Sequence, residues 1–122
     1  MREDIKKAWI ARLEANTDKQ GIGAMCRINA DGECYMCCLG VLADIIRTDF
    51  PHIFAGAEVC FDDDPSIPGG KAMSVGGMLG TIPLAIWEGP IGGKENQSVY
   101  YNMNDSGEKT FPEIAAEIAA RE

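Results

Sequence analysis

One stretch constrains the fold of this chain more than any other: Cys34-Tyr35-Met36-Cys37-Cys38-Leu39-Gly40-Val41-Leu42-Ala43-Asp44-Ile45-Ile46. Between Met36 and Ala43 no side chain is charged or strongly polar, and apolar residues occupy every side of a helix drawn from Cys37 to Thr48. A helix apolar all round belongs in the middle of a fold. The run falls far short of the roughly 20 residues needed to cross a bilayer. It is read as a central core helix, with the other elements layered around it. Gly40 costs about 1 kcal/mol against alanine inside such a helix. With Ala43, it therefore implies the close approach of another backbone. Asp49-Phe50-Pro51 closes the helix, because the residue before proline avoids the helical region.

The flanking pattern predicts an α+β fold. Ile5, Trp9 and Leu13 recur at four-residue spacing and give an N-terminal helix one apolar stripe, fading at Asn16-Thr17-Asp18. Gln20 to Gly23 reads as a flexible connection. Ala24 to Ile28 and Glu33 to Tyr35 are short β-capable runs around Asn29-Ala30-Asp31-Gly32, which predicts a hairpin leading into the core helix. From His52 to Ser98 the chain is rich in glycine and proline. Glu58 to Phe61 suits a short strand, Pro65 to Gly80 reads as loop, and Thr81 to Trp87 suits a short helix capped by Thr81. Ser98 to Met103 is open between strand and helix. Thr110-Phe111-Pro112-Glu113 is a capping box that starts a last helix carrying Ile114, Ala115 and Ile118. The expected architecture is a central buried helix packed by the terminal helices and a small antiparallel β-sheet, with a long Gly/Pro-rich middle region. Leu42, Ile46, Trp9, Leu13, Ile114 and Ile118 are expected in the core.

Composition narrows the function classes. A length of 122 residues with 46% hydrophobic content predicts one domain, residues 1–122, that buries about two-thirds of its unfolded surface. Nineteen acids against eleven Lys and Arg leave a net charge of −8, a field that repels nucleic-acid backbones and anionic membranes. The densest basic cluster, Lys6-Lys7, lies inside a mixed-charge helix, so neither direct nucleic-acid binding nor membrane binding is expected. An acidic domain can instead dock on a basic protein surface or mimic nucleic acid. The charged segment Met1 to Lys7 has no apolar core of a secretory signal, and five cysteines make an odd set for disulfides. Both features point to a reducing cytosol.

The cysteines are the first candidates for chemistry. Cys34-x-x-Cys37-Cys38 has a spacing used by zinc ribbons and redox proteins, and Cys26, Cys34, Cys37 and Cys60 define a candidate structural zinc site. A thiolate of Cys37 or Cys38 at a helix N-terminus suits a nucleophile, with His52, the single histidine, as its base. That histidine follows the proline closing the core helix, about 18 Å from the helix start. Buried packing is the expected role of the thiols, with no cofactor. Asp62-Asp63-Asp64 lacks the alternation of a calcium loop. Gly76 to Gly80 is too short for a dinucleotide fingerprint, and no GxxxxGK[ST] occurs.

Tyr35 to Asp44 resembles the CCLGVL-type core of a widespread group of small phage and prophage proteins. The order of further motifs is similar too: Trp9 in an N-terminal helix, Ile82-Pro83 running to Trp87, then Asn104, Asp105 and Gly107 before Phe111, Ile114 and Ala115. The chain departs from that pattern by an insertion near Met36 and by its long Gly-rich middle. The resemblance spans nearly the whole chain and implies a phage provenance acting in the host cytosol rather than a particular activity.

The expected function is therefore binding: a phage-type accessory protein that sequesters or inhibits a host factor, either a host protein or a small anionic, nucleotide-derived defence signal. Trp87, Tyr100 and Tyr101 offer aromatic faces for a base, Asn104 and Asp105 offer hydrogen bonds, and Arg27, Lys71, Lys94 or Lys109 offers charge for a phosphate. The long middle region is expected to supply the mouth of the site. A cysteine-dependent hydrolase or transferase and a structural or virion-associated module are the alternatives. A homo-oligomer is compatible with all three.

Overall fold

The structure is a computed structural model describing residues 1–122. Helix α2, Cys38–Asp49, is the buried centre: eight of its residues, from Cys38 to Ala43 together with Ile45 and Ile46, are withdrawn from solvent. Helix α1, Glu3–Ala15, lays Ile5, Trp9 and Leu13 against it, with Glu3 and Asp4 in the first turn where negative charge suits the helix dipole. Helix α5, Phe111–Arg121, packs along α1 and buries Phe111, Ile114, Ala115 and Ile118. Its capping box forms as the sequence implies, Thr110 and Glu113 each accepting from the other's backbone N–H. The terminal helices, α2 and parts of the middle region share one hydrophobic cluster that includes all six residues expected in the core.

The sheet corrects the sequence reading. It has five strands, β1 Lys19–Gln20, β2 Cys26–Ile28, β3 Cys34–Met36, β4 Val59–Asp63 and β5 Lys71–Val75, in the order β1-β3-β2-β5-β4. It is mixed rather than antiparallel, because β1 runs parallel to β3 while the other pairs are antiparallel. The β2–β3 hairpin stands where the Asp-Gly loop placed it. Two strands fall in stretches read as connections. β1 is only two residues long, and its pairing comes from Tyr35 and Met36, far along the chain. β5 lies between Gly69-Gly70 and Gly76-Gly77, and all its residues but Lys71 are buried. A strand buried on both faces shows no alternation to read.

The middle region is tied down rather than loose. The Gln97 side chain donates to Ile82 O at 2.7 Å and accepts from Ile82 N at 2.8 Å, closing a two-bond clamp inside the protein. Helix α3, Leu84–Glu88, follows Pro83, so the cap expected at Thr81 does not form. The stretch open between strand and helix is helix α4, Gln97–Asp105, capped by Asn96. No helix is long and apolar enough to cross a membrane.

Candidate functional site

Two of the aromatic residues expected in a binding site belong to the core instead. Trp87 and Tyr100 are 1% and 0% exposed. Their rings meet Trp9, Trp87 edge-on at 6.2 Å and Tyr100 edge-on at 5.5 Å between centroids. Edge-to-face packing of this kind is favourable beyond the area it buries. Each polar handle is spoken for: Trp87 Nε1 donates to Glu95 O at 2.8 Å, and the Tyr100 hydroxyl donates to Glu122 at 2.9 Å. Tyr101 is half-buried at the edge of the same cluster. Burial leaves Trp87 and Tyr100 without a free face for a base.

Glu122 gathers four donors, the backbone N–H groups of Lys94 and Glu95, the Tyr100 hydroxyl and the N-terminal ammonium, which lies 3.3 Å away. Burial pushes its carboxyl up, but these donors outweigh that and hold it below the ordinary 4.5. A depressed carboxyl contributes stability that is complete above its ordinary range and drains as pH falls through the lowered value. Acid unfolding should accordingly be less steep in Glu122→Gln, although that variant is less stable at neutral pH. Urea titrations repeated between neutral and acid pH check this.

Asn104 and Asp105 hold one loop in place. Asn104 is fully buried at the end of α4. Its Oδ1 accepts from Cys38 N at 3.2 Å and from Gln20 Nε2 at 3.0 Å, and its Nδ2 donates to Gly21 O at 2.7 Å. The first bond satisfies one of the N–H groups left open at the start of α2, work that no side chain adjacent in sequence performs. Asp105 Oδ1 accepts from Gly23 N at 3.3 Å. The segment from Gly21 to Ala24 is thereby pinned from below.

Arg27 reaches the same segment from the sheet. Its Nη1 contacts Ile22 O at 3.5 Å, and its Nε lies 3.2 Å from Asp64 Oδ2 without hydrogen-bond alignment. Ser66 holds that carboxylate low through its hydroxyl and backbone N–H, with Arg27 adding to the effect. The Arg27 side chain, 37% exposed, lines a cleft of about 190 Å³ with Gly21, Ile22, Asn29, Tyr35 and Ile67. Ile22 stands on its rim with 59% of its surface exposed. Ile67 comes from the long middle region, which thus contributes a wall but no aromatic grip.

Sequence reasoning missed Lys19 and Tyr35. The register sets Lys19 beside Tyr35 and Tyr35 beside Arg27, one row across three neighbouring strands. The Lys19 ammonium lies 5.7 Å from the centre of the Tyr35 ring and pairs with Glu33. The hairpin was read from the sequence, but the register that sets Arg27 beside Tyr35 was not. Nothing local announced Lys19.

The cysteines of the two alternatives lie in different surroundings. Cys37 and Cys38 are 2% and 0% exposed, and burial pushes the Cys37 thiol up to about 11 and raises that of Cys38 as well. Both therefore stay protonated at neutral pH, and the dipole of α2 does not activate them. His52 is exposed in the 3₁₀ turn Pro51–Phe54 beyond the opposite end of α2. The four-thiol zinc set does not converge either. Cys26 and Cys34 touch, Cys37 caps α2, and Cys60 alternates with Phe61 and so faces away. No group of three or more His, Cys, Asp or Glu residues is placed to hold a metal ion. Compared with protein-family models, curated proteins and solved structures, the chain shows no match to any of them.

Proposed function

We propose that this protein works by binding, and that its site is the Arg27 cleft, taking a small anionic ligand with a planar group. The observation that carries the reading is the row Lys19, Tyr35, Arg27: two cations flanking one aromatic ring on a chain whose net charge is −8. An anion meets repulsion over most of such a surface, so the Arg27 guanidinium is where it is favoured. Arginine presents a planar fork that matches phosphate or carboxylate with two bonds. The Tyr35 ring supplies a face for a base, and Asn29 supplies an amide at the same wall. The phage-type role implied by the resemblance makes the ligand a nucleotide-derived host signal, removed from circulation by stoichiometric capture.

Calorimetric titration with a panel of mono-, di- and cyclic nucleotides tests the reading. Arg27→Ala should weaken the best ligand at least about tenfold, the scale of one charge-assisted hydrogen bond lost. Tyr35→Ala should weaken it by a similar factor through lost stacking. Wild-type affinity in a folded Arg27→Ala chain would remove the site from consideration.

A further inference from the structure

Beneath the Arg27–Tyr35 pair, on the opposite face of the same two strands, lie Cys26 and Cys34. The alternation of a strand puts Cys26 and Ile28 of β2, and Cys34 and Met36 of β3, on the side facing α2. Cys26 is opposite Met36 and Cys34 is opposite Ile28, so the two thiols are diagonal neighbours across the hairpin. Their sulfurs are 3.0 Å apart. They line a mostly apolar cleft of about 240 Å³ between the sheet and α2, with Phe61 and Met73 on one side and Asp44 and Arg47 on the other. Cys26 is buried, whereas Cys34 is half-buried and open to a small reagent.

We propose that Cys26 and Cys34 form a reversible two-electron redox site, closing to an intrachain disulfide when the chain meets a low-molecular-weight disulfide such as oxidised glutathione. The inference stands apart from the binding reading, since it needs no ligand at Arg27. The sulfurs need to approach by only about 1 Å to reach bonding distance, and because a diagonal pair lies near the upper limit of Cα separation for a disulfide, closure draws β2 and β3 slightly together. No other pair shares this geometry: Cys37 and Cys38 are successive residues at the start of α2, and Cys60 faces away from the pair.

The order of events follows from access. The Cys34 thiolate attacks one sulfur of oxidised glutathione, the glutathione S–S bond breaks, and one glutathione leaves as thiolate and takes up the proton that Cys34 gave up. Cys26 then loses its proton and attacks the Cys34 sulfur of the mixed disulfide. The second glutathione leaves and takes that proton. Two protein thiols are oxidised, and one glutathione disulfide is reduced to two thiols. Burial and the neighbouring sulfur raise the Cys26 thiol well above its ordinary value in the reduced chain, which leaves Cys34, the more open of the pair, to attack first.

The chain, folded at neutral pH, is equilibrated with oxidised glutathione, quenched in acid, then unfolded in denaturant, alkylated and analysed by mass spectrometry. The expected product is lighter by two hydrogens, has three of its five thiols still alkylatable, carries a peptide joining Cys26 to Cys34, and reverts fully with dithiothreitol. Cys26→Ser should stop at a glutathione adduct on Cys34. Cys34→Ser should form no bond and carry no adduct on Cys26, whatever happens at the half-buried Cys60. Circular dichroism confirms that each variant is folded, and the unmutated chain carries the test if one is not. Five thiols left reactive in the unmutated chain would overturn the proposal, and so would a bond joining any other pair or a Cys26→Ser chain free of adduct.

Discussion

Gly40→Ala should destabilise the protein by at least about 3 kcal/mol, a large share of the roughly 5–15 kcal/mol that holds a domain of this kind folded. A Cβ built on Gly40 would stand 1.7 Å from Met25 O and 2.5 Å from its carbonyl carbon. Those atoms are backbone, so no rotamer change relieves the overlap, and the segment at Met25 that leads into β2 must move off α2. Met25 O also accepts from Cys37 N at 3.0 Å, the bond that joins the end of the hairpin to the start of the core helix. The displacement therefore breaks a hydrogen bond as well as packing. Urea unfolding of the two chains gives the measurement. An unchanged midpoint would mean that α2 and the segment at Met25 are not pressed together at this residue.

Asn104→Ala should cost about as much, roughly 3 kcal/mol, for a different reason. The substitution leaves Cys38 N–H, Gly21 C=O and the Gln20 amide around a buried void. Each buried polar group without a partner costs about 1–3 kcal/mol. Gln20 keeps its bond to Lys109 O at 2.9 Å, which limits the damage on that side. Asn104→Asp separates the two contributions, because it fills the space and keeps an acceptor for Cys38 N while turning the donor toward Gly21 O into a second acceptor. A carboxylate introduced there faces Gly21 O and Asp105, so its folded-state value is raised. The Asn104→Asp chain should gain stability as pH falls through that raised value, whereas the Asn104→Ala chain should not. Equal stability of all three chains at neutral pH would show that Asn104 holds nothing.

The parts of this fold that were legible are those whose signals are local. The Ile5, Trp9, Leu13 stripe reports one helix face through its spacing alone, and Thr110 with Glu113 reports a helix start within four residues. Gly40 reported a close contact because an uncompensated glycine inside a helix calls for one. Arg27 was legible as a charge in a hairpin. Its surroundings were not, because Ile67 reaches the cleft and Lys19 joins the row beside Tyr35 through turns and pairings formed with distant residues.

The aromatic residues show the limit most clearly. Trp87, Tyr100 and Asn104 have the chemistry of ligand contacts, and only burial turns them into packing and clamps. Composition is blind to burial because the same side chain serves either role. The amino-acid sequence by itself determined α1, α2 and α5, the capping box of α5, the β2–β3 hairpin and the placement of α2 at the centre, since periodicity and turn chemistry act over a few residues. The tertiary structure alone decided the parallel β1–β3 pair, the strand at Lys71–Val75 and the meeting of Cys26 with Cys34 under Arg27. These are long-range or cross-strand juxtapositions, set by which surfaces the chain buries together rather than by any preference of the residues that meet.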